Sequence, residues 1–116
     1  MLITVWNGRD NVIIVTLRNA SNDPISISPG DHIRVKIGTE QNSPILDMVG
    51  ATATSNGTIF QNTNPFTIMF HRDDVALLGK GIHQMEVLVY DDSAADAFHA
   101  EDFQLEVRGT MGGPVT

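Results

Sequence analysis

Apolar residues stand at every second position in three stretches of this chain, and that period leaves little choice of secondary structure. From Asp31 to Gly38, Ile33, Val35 and Ile37 alternate with His32, Arg34 and Lys36. Met85, Val87 and Val89 repeat the pattern against Gln84 and Glu86, and Phe103, Leu105 and Val107 repeat it against Gln104 and Glu106. Each is the pattern of a strand with one buried face and one wet face. Leu2 to Trp6, Val12 to Arg18, Ile45 to Val49, Thr58 to Gln61 and Phe66 to Phe70 are shorter, but all are rich in β-branched or aromatic residues and bounded by turn formers. About eight strands result.

The turns agree with that count. Asn7-Gly8 and Asn56-Gly57 supply the positive φ that tight hairpins require, and Asn22-Asp23-Pro24 and Ser28-Pro29-Gly30 are strong turns. No amphipathic helix of the length a βαβ unit needs separates the strands, so the pattern predicts an all-β, antiparallel sandwich. One short helical connector is expected at Asp73 to Leu78, capped by Asp73 or Asp74 and ended by Gly79. The sandwich is expected to occupy residues 1–108. Gly109 to Thr116, with three Gly and one Pro in GTMGGPVT, reads as a flexible arm.

Charge and composition narrow the function. Fourteen carboxylates against seven Lys or Arg give a net charge of -7, which repels nucleic-acid phosphates over most of the surface. The absence of Cys removes disulfides, thiolate metal sites and a cysteine nucleophile. The start, MLITVWNGRD, lacks the basic and apolar regions of a signal peptide, and no apolar run approaches a membrane span. A soluble protein made in the cytoplasm, bound to neither membrane nor nucleic acid, is the expectation.

The residues that usually carry chemistry are scattered. His32, His71, His83 and His99 are never three or four positions apart, so no local zinc pair exists. Asp91, Asp92 and Asp96, with Glu101 and Asp102 nearby, could surround a cation, but DDSAADA lacks the glycine and ligand spacing of an EF-hand loop. From Ile82 to Val107 there are seven carboxylates and no Lys or Arg, which suits a solvated face or a basic partner. His71, Asp73 and Asp74 could form an acid-base cluster, but adjacent residues on a short turn serve better as caps. With no nucleophile elbow, phosphate loop or zinc-protease motif, the expectation is a protein without enzymatic activity, metal or cofactor. Asn19-Ala20-Ser21 and Asn56-Gly57-Thr58 are glycosylation sequons that, without a secretory signal, carry no weight.

Some strands have too many apolar faces. Val12 and Ile14 lie opposite Ile13, Val15 and Leu17; Leu2 and Trp6 oppose Ile3 and Val5; Leu88 and Tyr90 oppose Val87 and Val89. A two-layer sandwich buries one face of each sheet. Either the first strand crosses between the sheets or a loop covers the outer face, or Leu2, Trp6, Val12, Ile14, Leu88 and Tyr90 form an exposed patch suited to an oligomer interface.

The second half has a further layout: Phe66 to Phe70, a helical connector, then GIHQMEVLVYD from Gly81 to Asp91, and a closing Phe103-Gln104-Leu105-Glu106-Val107 strand. This resembles the end of an immunoglobulin-like sandwich. More narrowly, with the short strand, polar turn and apolar strand from Leu2 to Leu17, it resembles the N-terminal domains of phage baseplate upper proteins and small virion decoration or adaptor proteins. The resemblance implies a structural protein of a phage tail, baseplate or capsid, located in the virion, partnered by itself and a neighbouring virion protein. The chain stops at Thr116 where baseplate proteins continue, which favours a decoration or adaptor role. The rival is a small carbohydrate-binding module, using Trp6, Tyr90 and the acidic loop with calcium.

Overall fold

The computed structural model describes residues 2–28, 30–38, 45–50, 58–59, 62–91, 97 and 99–109. Among these residues eight strands and one helix follow one another: β1 (Leu2–Trp6), β2 (Asn11–Val15), β3 (Asp31–Gly38), β4 (Leu46–Val49), β5 (Thr58–Ile59), β6 (Phe66–Phe70), α1 (Arg72–Leu78), β7 (Gly81–Asp91) and β8 (His99–Arg108). They form a five-stranded sheet, β1-β8-β7-β3-β4, and a three-stranded sheet, β2-β6-β5. The alternating apolar residues of both sheets meet between them. Ile33, Val35, Ile37, Met85, Val87, Val89, Phe103, Leu105 and Val107 of the large sheet are buried, as are Val15, Ile59, Phe66, Ile68 and Phe70 of the small one. Removing this apolar surface from water is the main force holding the two layers together.

Two expectations need correcting at the start of the chain. The Asn7-Gly8 turn does not close a hairpin, because β1 and β2 lie in different sheets. Gly8 has φ of 87° and turns the chain across the sandwich. Pairing is also not wholly antiparallel. β1 runs parallel to β8, from Leu2 opposite Gln104 to Trp6 opposite Arg108, since a strand that crosses sheets is free to enter the far sheet in either direction. Buried Asn11 holds the crossing. Its Oδ1 accepts from the Trp6 N–H at 2.9 Å, and its Nδ2 donates to the carbonyls of Trp6 and Arg9 at 2.9 and 3.0 Å. One amide side chain thus supplies a rung between sheets that backbone pairing cannot reach.

Side-chain amides pin two further loops. Asn64, before the cis bond to Pro65, accepts from the Leu17 N–H at 2.8 Å and donates to the carbonyls of Leu17 and Ile25 at 2.8 and 2.7 Å. Those bonds explain why β2 ends at Val15 and not at Arg18: Leu17 is held by a side chain, and Arg18 bridges back to Pro24. Asn62 accepts from the Ile33 N–H of β3 at 3.0 Å. It sits so close to Gly50 that a Cβ there would lie 2.0 Å from its Oδ1, so a side chain at position 50 would have to push the Asn62 amide aside.

The helix begins one residue before its expected start, and its cap differs. His71 is the N-cap and makes no side-chain cap bond. Asp10, from the β1–β2 crossing, accepts from the Arg72 N–H at 2.7 Å, so the first orphan donor is satisfied from another part of the chain. Gly79 ends the helix at φ of 77°, as its position implies. Phe60, Gln61, the Asn56-Gly57 turn and the arm beyond Gly109 fall outside the described residues.

Candidate interaction surfaces

The six residues expected to share one exposed patch lie on two opposite faces. Leu2 and Trp6 of β1 and Leu88 and Tyr90 of β7 face outward from the large sheet, while Val12 and Ile14 of β2 face outward from the small one. The reason is the crossing at Asn7 to Asp10, which puts β1 and β2 in different layers. A single contiguous patch is therefore not formed.

On the large sheet the outward apolar residues are interleaved with charge. Arg34 and Asp47 form a two-pronged ion pair, Nε to Oδ1 at 2.8 Å and Nη2 to Oδ2 alongside. The hydrogen bond to Arg34 holds the Asp47 carboxyl below the usual carboxylate range, and the same bond raises the Arg34 guanidinium. Leu88 stands opposite Arg34, Lys36 opposite Glu86, and Glu86 opposite Asp102. Tyr90 leans on His32, ring centres 5.6 Å apart. Trp6 carries the guanidinium groups of Arg9 and Arg108 at 5.6 and 5.5 Å from its ring centre, a cation–π arrangement. Trp6, Leu88 and Tyr90 are each only half-exposed as a result. Trp6 faces Arg108 at one end of the sheet, while Tyr90 lies past the Val89–His99 pair at the other, so they do not form one aromatic platform.

The outer face of the small sheet is different. Val12 is 61% exposed and Ile14 is 72% exposed. Their register partners are Met69 and Thr67 of β6, with Thr58 of β5 beyond Met69. None of β2, β5 and β6 carries a charged residue. Met69 and Thr67 were not among the expected interface residues, because alternation alone does not tell which strands are neighbours.

The titratable groups do not converge. His83 Nε2 meets the Gly79 carbonyl at 2.9 Å, and His99 Nε2 meets Glu101 Oε1 at 3.2 Å, the same oxygen that accepts from the Arg18 N–H. Among the described residues no group of three His, Asp or Glu is placed to hold a metal ion. Asp91 ends β7 opposite Asp31; Asp92 and Asp96 lie outside the described residues.

Open grooves flank the sandwich among the described residues. One, of about 550 Å³, runs along Arg9, Asp10 and the start of α1; another, of about 570 Å³, lies between Arg18 and Glu101. In the first, Asp74 is only 3% exposed and its Oδ2 has no hydrogen-bond partner. Burial pushes its carboxyl above the usual range, against the opposing pull of a hydrogen bond from the His71 backbone. Asp73, by contrast, is exposed. Asp74 is thus set into the helix base and is not presented together with Asp73 to a substrate.

No protein-family model matches this sequence, and no curated protein matches it. Among solved structures, it is similar to the extracellular domain of the voltage-gated sodium channel β4 subunit in its parallel homodimers, described as explaining its role in cell-cell adhesion. The TM-score is 0.55 at 11% identity, over 96% of this chain and 92% of that one. A second structure, from work on multimeric cell-adhesive interactions of sodium channel β subunits, gives a TM-score of 0.51 at 11% identity, over 95% and 91% of the two chains. At such identity the likeness speaks to fold alone, and the fold is an all-β, immunoglobulin-like sandwich.

Proposed function

We propose that the protein is a non-catalytic assembly module that works by binding copies of itself, within a bacteriophage particle where it also meets a neighbouring virion protein. The observation that carries the self-association is the uncharged outer face of the small sheet, with Val12 and Ile14 mostly in water. Isolated exposed apolar residues are ordinary, but an apolar row on an uncharged sheet face marks a contact surface. That immunoglobulin-like domains of the sodium channel β4 subunit are found as homodimers is in keeping with this use of the fold. The phage setting rests on the resemblance in layout described above.

Light scattering on the purified chain tests the reading. The expected result is a particle of at least twice 12.6 kDa at micromolar concentration, reduced towards the monomer by Ile14→Asp. A monomer at every accessible concentration, unchanged by Ile14→Asp or Trp6→Asp, would count against it.

A further inference from the structure

One edge of β2 pairs with β6, and its other edge pairs with no strand among the described residues. Bare edges recruit other strands through their free N–H and C=O groups, so monomers guard them with Lys, Pro or a bulge. This edge has none of these. Asn11 to Leu17 reads NVIIVTL, and its register with β6 steps without interruption from Asn11–Phe70 to Val15–Phe66.

The nearest charges stand just beyond, Asp10 before and Arg18 after, and both are exposed. Positions 12 and 14 lie in the strand, Asn11–Val15, and 10, 16 and 18 flank it; along the sequence these positions alternate as acid, Val, Ile, Thr and base. Turned end for end about Ile14, that row complements itself. Ile14 meets Ile14 of the second copy, Val12 meets Thr16, and Asp10 meets Arg18 at both ends. Moving the axis to Ile13 would set Asp10 against Thr16, and moving it to Val15 would set Arg18 against Val12, leaving both charges unmatched. A parallel pairing in register would place Asp10 beside Asp10. The charges are also available. Asp10 gives Oδ1 to the Arg72 N–H and keeps Oδ2; Arg18 spends its backbone N–H on Glu101 Oε1 and Nη1 on the Asn22 carbonyl, so at this end the contact is made by the rest of the guanidinium and not by backbone.

We infer that two copies pair antiparallel through β2 about a two-fold axis at Ile14, an assignment that rests on the self-association proposed above. The two small sheets then join into one six-stranded sheet, β5-β6-β2 continued by β2-β6-β5 of the second copy. Backbone bonds supply direction, Val12 and Ile14 supply apolar burial, and the two ion pairs select the register. Contacts of this kind are isologous, so the pair closes on itself.

The absence of Cys in the natural chain makes cross-linking clean. Ile14→Cys should form a disulfide dimer under mild oxidation, because residues facing each other across a two-fold strand pair lie within disulfide reach. Val12→Cys alone should cross-link at least about tenfold less, while Val12→Cys mixed with Thr16→Cys should link well. Arg18→Asp should weaken association about tenfold, a change of about 1.4 kcal/mol, and Asp10→Arg combined with Arg18→Asp should restore it. A dimer that cross-links through Leu88→Cys and not Ile14→Cys would overturn the edge pairing and leave self-association standing. Equal cross-linking of the Val12 and Ile14 single variants, or no rescue by the double charge swap, would also overturn it. A wild-type chain that is monomeric by light scattering would remove both.

Discussion

The two sheets of this sandwich are held in different ways and present different faces to solvent. The large sheet has long ladders: β7 pairs with β3 over eight residues and with β8 over nine, and its outer face carries charges that pair across strands. The small sheet has a two-residue strand on one side of β6 and a five-residue strand on the other, with no charge outside. Its position depends on three asparagines, Asn11, Asn62 and Asn64, which bond to backbone that no strand reaches. A sheet rich in ladders can afford a wet, charged face, whereas the sparse one is fastened by side-chain amides and has an outer face without charge.

The sharpest way to break this contrast is to remove a pin. Asn64→Ala deletes three hydrogen bonds to Leu17 and Ile25 and should cost about 3 kcal/mol in denaturant unfolding. Arg34→Ala, which breaks the partly exposed pair on the large sheet, should cost under about 1 kcal/mol. Equal losses would dissolve the distinction.

The outer faces can be compared by one substitution on each. Ile14→Asp should weaken self-association by at least about tenfold and leave the melting temperature nearly unchanged, because the side chain is mostly in water. Leu88→Asp, half-covered and opposite Arg34, should change association by less than about twofold. Sedimentation at several concentrations reads both.

The passage from the small sheet to the large, through α1, offers a finer test. Here His83 stands two residues before buried Met85 and bonds to Gly79 four residues upstream. The bond ties the start of β7 to the end of α1. His83→Ala should destabilise by about 1 kcal/mol, while Leu77→Ala, on the exposed side of the helix, should be near neutral in the same thermal melt.

The smallest expected effect is the dependence of stability on pH. Asp47, whose folded pKa is lowered by Arg34, contributes stability that is complete above the unfolded carboxylate range and fades as pH falls through the folded value. Asp74, whose folded pKa is raised by burial, has the opposite sign. Its contribution is complete below the unfolded value and is lost as pH rises through the folded one. Asp74→Asn should therefore gain stability over the parent at pH 7 and show little gain near pH 3 in urea titrations. A gain independent of pH would mean that burial does not raise the Asp74 carboxyl above its unfolded value.

The alternation of Ile33, Val35 and Ile37, or of Phe103, Leu105 and Val107, determined by itself which residues are strands and which face each turns inward, because side chains on a strand point alternately to either side. Phe66 to Phe70 was legible to the residue, and Gly79 marked the helix end. The same rule identified Val12, Ile14, Leu2, Trp6, Leu88 and Tyr90 as outward. It did not assign them to layers, since a period of two names a face and never a neighbour. Only the packed structure decided that Asn7-Gly8 crosses between sheets, that β1 runs parallel to β8, and that Met69 and Thr67 lie beside Val12 and Ile14. Those outcomes depend on Asn11, Asn62 and Asn64 finding backbone partners far along the chain, and a polar side chain in a local pattern gives no sign of which distant carbonyl it will meet.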